Sequence, residues 1–162
     1  MDWAGTYEAI YKGSTSVRLQ MLNYKIITRI SVTNKLLHHM GISEHDRCPR
    51  CNSHRDSIKH KFWECNDVRL FWTEVSRWLS SLAGVQRLII SKKMVILGVI
   101  RDKFVNHVVS LGKRVINENI NLSVGNLIVR INVDRRTEEE IARRNDKLAE
   151  FLKKWAALAR LD

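Results

Sequence analysis

Apolar residues recur at helical spacing along most of this chain, and one short polar stretch interrupts them. Residues 17–30, VRLQMLNYKIITRI, place Leu19, Leu22, Ile26 and Ile30 at near-heptad intervals and predict an amphipathic helix. TNKLLHHM predicts a shorter helix that stops at Gly41, since glycine accepts the left-handed conformation common at helix ends. The clearest periodicity is in DVRLFWTEVSRWLSSLAG, where Val68, Phe71, Trp72, Val75, Trp78, Leu79 and Leu82 share a face and Gly84 is the expected stop. Residues 94–100, MVILGVI, form a continuous apolar run that suits either a short buried strand or a buried helical turn. Residues 102–118 predict another helix, with Phe104, Val105, Val108, Val109, Leu111 and Val115 on its apolar side. Val124, Leu127, Ile128 and Ile131 are helically spaced too, although Val129 and Val133 leave an extended alternative open. Thr137 stands three residues before Glu140, the form of a capping box, and predicts a helix opening there and running through Ile141, Leu148, Phe151, Leu152 and Trp155.

The expected fold is mainly α, with a small irregular insert and room for one or two short strands. Pro49 is the only proline, and the seven glycines are scattered, so no flexible linker divides the chain. An N-terminal helical segment (1–47), the insert (48–65) and a helical C-terminal region (66–162) are therefore expected to form one domain.

Composition narrows the class. With 162 residues, 44% hydrophobic and 28% charged, the chain can bury a core and is not expected to be disordered. Its net charge of +11 favours polyanionic partners, nucleic acid before acidic membrane surfaces. No Lys/Arg block carries the excess, so any basic face must be assembled by folding. The N-terminal residues lack the pattern of a signal peptide, and no apolar run is long enough for a membrane span. A cytoplasmic or nuclear location is the expectation. Cysteines stay reduced in such compartments, and three of them cannot all pair in one chain.

All three lie in the insert, CPRCNSHRDSIKHKFWEC. Tetrahedral zinc prefers thiolate and imidazole donors, and Cys48, Cys51, His60 and Cys65 supply such a set. The C-x2-C pair suits a tight turn, and Asn52 after it tolerates positive φ. His60 and Cys65 are five apart, so one continuous α-helix would turn them about 140° from each other. One of them must then sit at a helix end, and Cys65 directly before the long helix meets that need. His54 and His45 are alternative donors. His60 is preferred because the eight-residue excursion lets the chain reverse. Reduced cysteines beside a surface histidine would be the plainer explanation, but the confinement of all three to eighteen residues favours metal. Four protein ligands leave no position for a reactive water, so the zinc is expected to be structural. Arg50, Arg55, Lys59 and Lys61 around it suit phosphate contact or simple solvation equally well. Trp63 is the aromatic to test for base stacking, although packing on the metal loop is its more ordinary role. Phe71, Trp72 and Trp78 are expected in the core. The basic pairs near the C-terminus are interleaved with acids, as on solvated faces, and Asp102, Glu118 and His107 form no convincing acid/base pair.

The order LQMLNYKIITRI, TNKLLHHMGI, CPRC, IKHKFWEC and a helix with LFW resembles the C-terminal zinc-binding region of LINE-type (non-LTR) retrotransposon reverse transcriptases. EEEIARRNDKLAEFLKKW is similar to the terminal segment of the same polyproteins. The resemblance implies that Cys48, Cys51, His60 and Cys65 are the zinc ligands. It also implies nucleic-acid binding that helps engage template RNA or target DNA in target-primed reverse transcription; as a basic module the chain is expected to bind RNA or DNA largely without sequence preference, and the polymerase domain of the parent polyprotein is a further expected partner. Many relatives have proline where this chain has Asn66, a good helix N-cap. The chain lacks the Asp-Asp pair of a polymerase palm and the Pro-Asp nuclease signature, so by itself it is expected to be no enzyme. A zinc-stabilised protein-interaction module and an inert transposon remnant are the competing expectations.

Overall fold

The computed structural model describes residues 3–14, 16–82, 87–118 and 121–158. Among these the chain forms helices α1 (Trp3–Gly13), α2 (Val17–Ile27), α3 (Asn34–His39), α4 (Asn66–Ser81), α5 (Lys92–Leu97), α6 (Lys103–Asn117), α7 (Val124–Arg144) and α8 (Leu148–Trp155). One π-helical turn, His60–Glu64, immediately precedes α4. No β-strand occurs among the described residues; Arg47 and Arg55 make one isolated antiparallel bridge. The architecture is mainly helical around an irregular insert, in agreement with the apolar periodicity. No helix of the described residues is long and apolar enough to cross a membrane.

Residues 94–97 of the first ambiguous run and all of 124–133 are helical, and caps explain why. The Ser91 hydroxyl accepts from the Met94 amide at the start of α5, and Gly98, at φ +66°, ends that helix after six residues. Ser123 caps α7 in the same way by accepting from the Asn126 amide. Two boundaries differ from expectation. Thr137 opens no helix; it lies inside α7 and bonds back to the Val133 carbonyl. The interruption comes later, where Asp146 adopts φ +54° and lets α8 turn away from α7. Likewise α2 stops at Ile27, because Arg29 at φ +63° reverses the chain and leaves Ile30 exposed. Gly41 is left-handed as expected, whereas the Gly84 stop lies outside the described residues. Helix α1 lies within the expected N-terminal helical segment, although the apolar spacing of residues 3–13 singles out no helix there.

Helix α6 is the axis of the molecule. It packs against α1, α2, α5, α7, α8 and the π turn, and every residue from Phe104 to Lys113 is buried. A helix enclosed on all sides must satisfy its polar side chains internally. Asn23 of α2 donates to Ser110 and accepts from Lys113, at 2.9 and 2.8 Å. On another side His107 meets Asp134 and Glu138 of α7, while Lys154 and Trp155 of α8 donate to Glu138. The Glu138–Lys154 pair is therefore a largely buried ion pair, not part of a solvated mixed-charge face. One hydrophobic core runs from Leu19 to Leu158 and includes Cys48, Phe62 and Cys65 of the insert.

Candidate metal centre

The insert folds as a small loop before it bears ligands. Arg47 and Arg55 pair across it, the Cys48 amide donates to the His54 carbonyl, and the Asp56 amide donates to the Asp46 carbonyl. Asn52, at φ +51°, reverses the chain just after the C-x2-C pair and donates its amide to the Cys48 carbonyl. The loop thus presents both thiols from one side.

The second pair comes from the π turn. The Cys65 amide bonds the His60 carbonyl at 3.0 Å, closing an i to i+5 ring where an α-helix would close i to i+4. The wider turn keeps residues five apart near one another, and extended backbone at Cys65 (ψ 134°) then starts α4 in a new direction. This is how the five-residue spacing becomes compatible with one metal.

One donor atom from each of Cys48, Cys51, His60 and Cys65 lies within 4.8 Å of the others, and Cys51 Sγ is 3.3 Å from His60 Nε2. Cys48, His60 and Cys65 are buried and Cys51 is partly so. His45 is exposed and outside this cluster. His54 is also outside it, with its ring stacked on His60 at 5.2 Å and Nδ1 3.9 Å from Cys51 Sγ.

The electrostatics fit a cation at the centre of the cluster. Burial, reinforced by the neighbouring Cys48 sulfur, pushes the Cys65 thiol up to about 11 despite the Asp67 and Val68 amides at the start of α4. Burial also raises Cys48. Burial acts on Cys51 in the same sense, but the Ser53 amide and the His54 and His60 side chains outweigh it and bring that thiol down to about 6. Three thiolates this close repel one another, and a divalent cation reverses that balance. Three sulfurs and one imidazole nitrogen are zinc's preferred donors, and four of them complete a tetrahedron. The site is fit to hold a structural Zn2+.

Its surroundings tie it to the rest of the fold. The Asn34 amide at the start of α3 donates to Asp56 at 2.7 Å, and the Asn34 side chain donates to the Arg47 carbonyl. Trp72 of α4 donates its indole N–H to the Phe62 carbonyl in the π turn. Glu64 pairs with Lys92 of α5 at 2.7 Å. The centre therefore joins α3, α4, α5 and α6, the last through Arg50.

The five residues considered for nucleic acid fall in different situations. Arg50 donates to the Ile116 carbonyl at the end of α6, where a cation suits the helix dipole. Lys61 donates to the Val32 carbonyl, and burial lowers its pKa. Trp63 packs partly buried against the core. Arg55 is largely exposed and paired with Asp46, and Lys59 is exposed. Arg47, passed over in the sequence, is exposed beside Arg55. Only the bridge, a tertiary feature, brings the two together.

Residues 3–72 match a protein-family model described as zinc-binding in reverse transcriptase. The matched segment begins in α1, ends within α4 and contains all four candidate metal donors. Domains of that family are non-catalytic zinc-binding segments. No solved structure matches the chain significantly.

Proposed function

We propose, from the match of residues 3–72 to a family model described as zinc-binding in reverse transcriptase, that this chain is a non-catalytic nucleic-acid-binding module of such an enzyme or of a gene derived from one. It would engage template RNA or target DNA during target-primed reverse transcription, in the nucleus or cytoplasm, beside a polymerase domain. The observation that carries this reading is the net charge of +11 over the 162-residue chain that contains the zinc site. The exposed Arg47, Arg55 and Lys59 on the metal loop are suited to phosphate contact. Phosphate-directed binding is largely indifferent to sequence and weakens steeply with salt.

A salt titration of the zinc-loaded protein with single-stranded RNA and duplex DNA tests it. Affinity should fall linearly on a log–log plot, and Arg47→Ala/Arg55→Ala should weaken all sequences alike and make the slope shallower by about two. Undetectable binding to every nucleic acid at low salt rejects the reading and favours an inert remnant.

A further inference from the structure

A groove of about 1060 Å³ runs beside the metal centre, between α2 and α3 on one side and residues 57–59 and α5 on the other. Its floor is aliphatic: Ile26 and Ile27 from α2, Leu36 from α3, Ile58, and Ile96 and Leu97 from α5. Its rim is basic, with Arg29, Lys35, Lys59, Lys92 and Lys93, and no described lining residue is acidic. Glu64 sits opposite Lys92 and Lys59, whereas Arg29, Lys35 and Lys93 have no carboxylate partner among the described residues. The volume exceeds what most small ligands fill and accommodates several side chains at once.

We infer that this groove docks an acidic amphipathic helix of a protein partner. The lining discriminates among occupants. Nucleobases stack on aromatic or guanidinium planes; among the described lining residues these are His39 and Arg29, both exposed at the edge, whereas the floor itself is aliphatic and offers no ring. A proline-rich segment needs an aromatic groove too, and an added strand needs a sheet edge, which the described residues lack. What remains is a helix that lays Leu or Ile side chains on the aliphatic floor and sets Asp or Glu against the basic rim. Ile58 and Lys59 immediately precede the ligand His60, so the metal centre holds one wall in place.

The test uses fluorescence anisotropy on the full zinc-loaded chain. The probe is a labelled peptide of about 18 residues with Leu at i, i+3, i+4 and i+7 and Glu elsewhere. A scrambled peptide of the same composition and a single-stranded oligouridylate serve as comparisons. The amphipathic peptide should bind at least about tenfold tighter than the scramble. Leu36→Asp should weaken it by a similar factor, and chelation should abolish binding. Lys35→Glu/Lys93→Glu changes only exposed side chains, leaves the fold intact, and should make a Lys-substituted version of the peptide the better ligand. Equal binding of amphipathic and scrambled peptides, or indifference to the charge reversal, overturns the inference. Loss of oligouridylate binding in place of peptide binding on Leu36→Asp also overturns it and assigns the groove to nucleic acid. Failure of the wild type to bind any oligonucleotide would reject the proposed function alone.

Discussion

Lys113 is 1% exposed in the middle of α6, with its ammonium on the Asn23 side chain. Burial alone brings its pKa down to about 7, from 10.5 for a free lysine. Between those values the unfolded chain binds a proton that the folded chain does not, so this residue makes stability rise with pH across that window. Below about pH 7 both states are charged, and the full cost of desolvation remains. Urea unfolding of the zinc-loaded protein should show a gain from pH 7 to 9 that exceeds that of Lys113→Met by roughly 2 kcal/mol. The comparison with the variant isolates the lysine from every other titrating group. Equal pH dependence in the two proteins would show that Lys113 keeps its proton inside the fold. Sequence alone offered no sign of this residue, because a lysine on the polar side of an amphipathic pattern reads as solvated. On that side α2 packs against α6, and its Asn23 side chain meets the buried ammonium. The four metal donors were legible for the opposite reason: soft donors confined to eighteen residues have few other uses.

The Trp72 and Phe71 side chains of α4 pack directly against Gly112 of α6. A Cβ placed there would stand 2.6 Å from Trp72 Cη2 and 2.8 Å from Cζ3. Trp72 cannot retreat freely, since its indole N–H is bonded to the Phe62 carbonyl at 2.9 Å. Gly112→Ala is thus expected to destabilise the protein by about 1 to 3 kcal/mol through overpacking, even though alanine is the better helix former. Thermal unfolding monitored by circular dichroism would register this, and unchanged or higher stability would mean that α4 can shift. Element identity was mostly visible in the apolar period. Boundaries were less so where a polar residue had two possible uses. Thr137 matched a cap motif, yet a helix already begun at Ser123 passes through it and turns its hydroxyl back onto Val133. Arg29 and Asp146 reverse the chain at positive φ without a glycine to announce it.

Across the whole molecule, the metal centre and the hydrophobic core are continuous, for Cys48, Phe62 and Cys65 belong to both. Removing zinc should therefore do more than loosen a loop. A structural zinc contributes binding free energy on the order of 10 kcal/mol, comparable to the stability of a domain. Chelation is expected to abolish the cooperative thermal transition, and Cys65→Ser should no longer retain one zinc per chain on metal analysis. A chelated protein that melts as the loaded one does would show that the core stands without the metal. Helical class, the donor set and a basic folded module were all accessible from the chain alone, because local periodicity and donor chemistry depend on residues near one another in sequence. The arrangement of those parts was not. The π turn that reconciles His60 with Cys65, the carbonyl that occupies Arg50, the enclosure of α6 and the basic-rimmed groove each depend on side chains brought together from distant segments. Such juxtapositions follow from packing a core on all its sides at once, and no stretch of sequence carries that information separately.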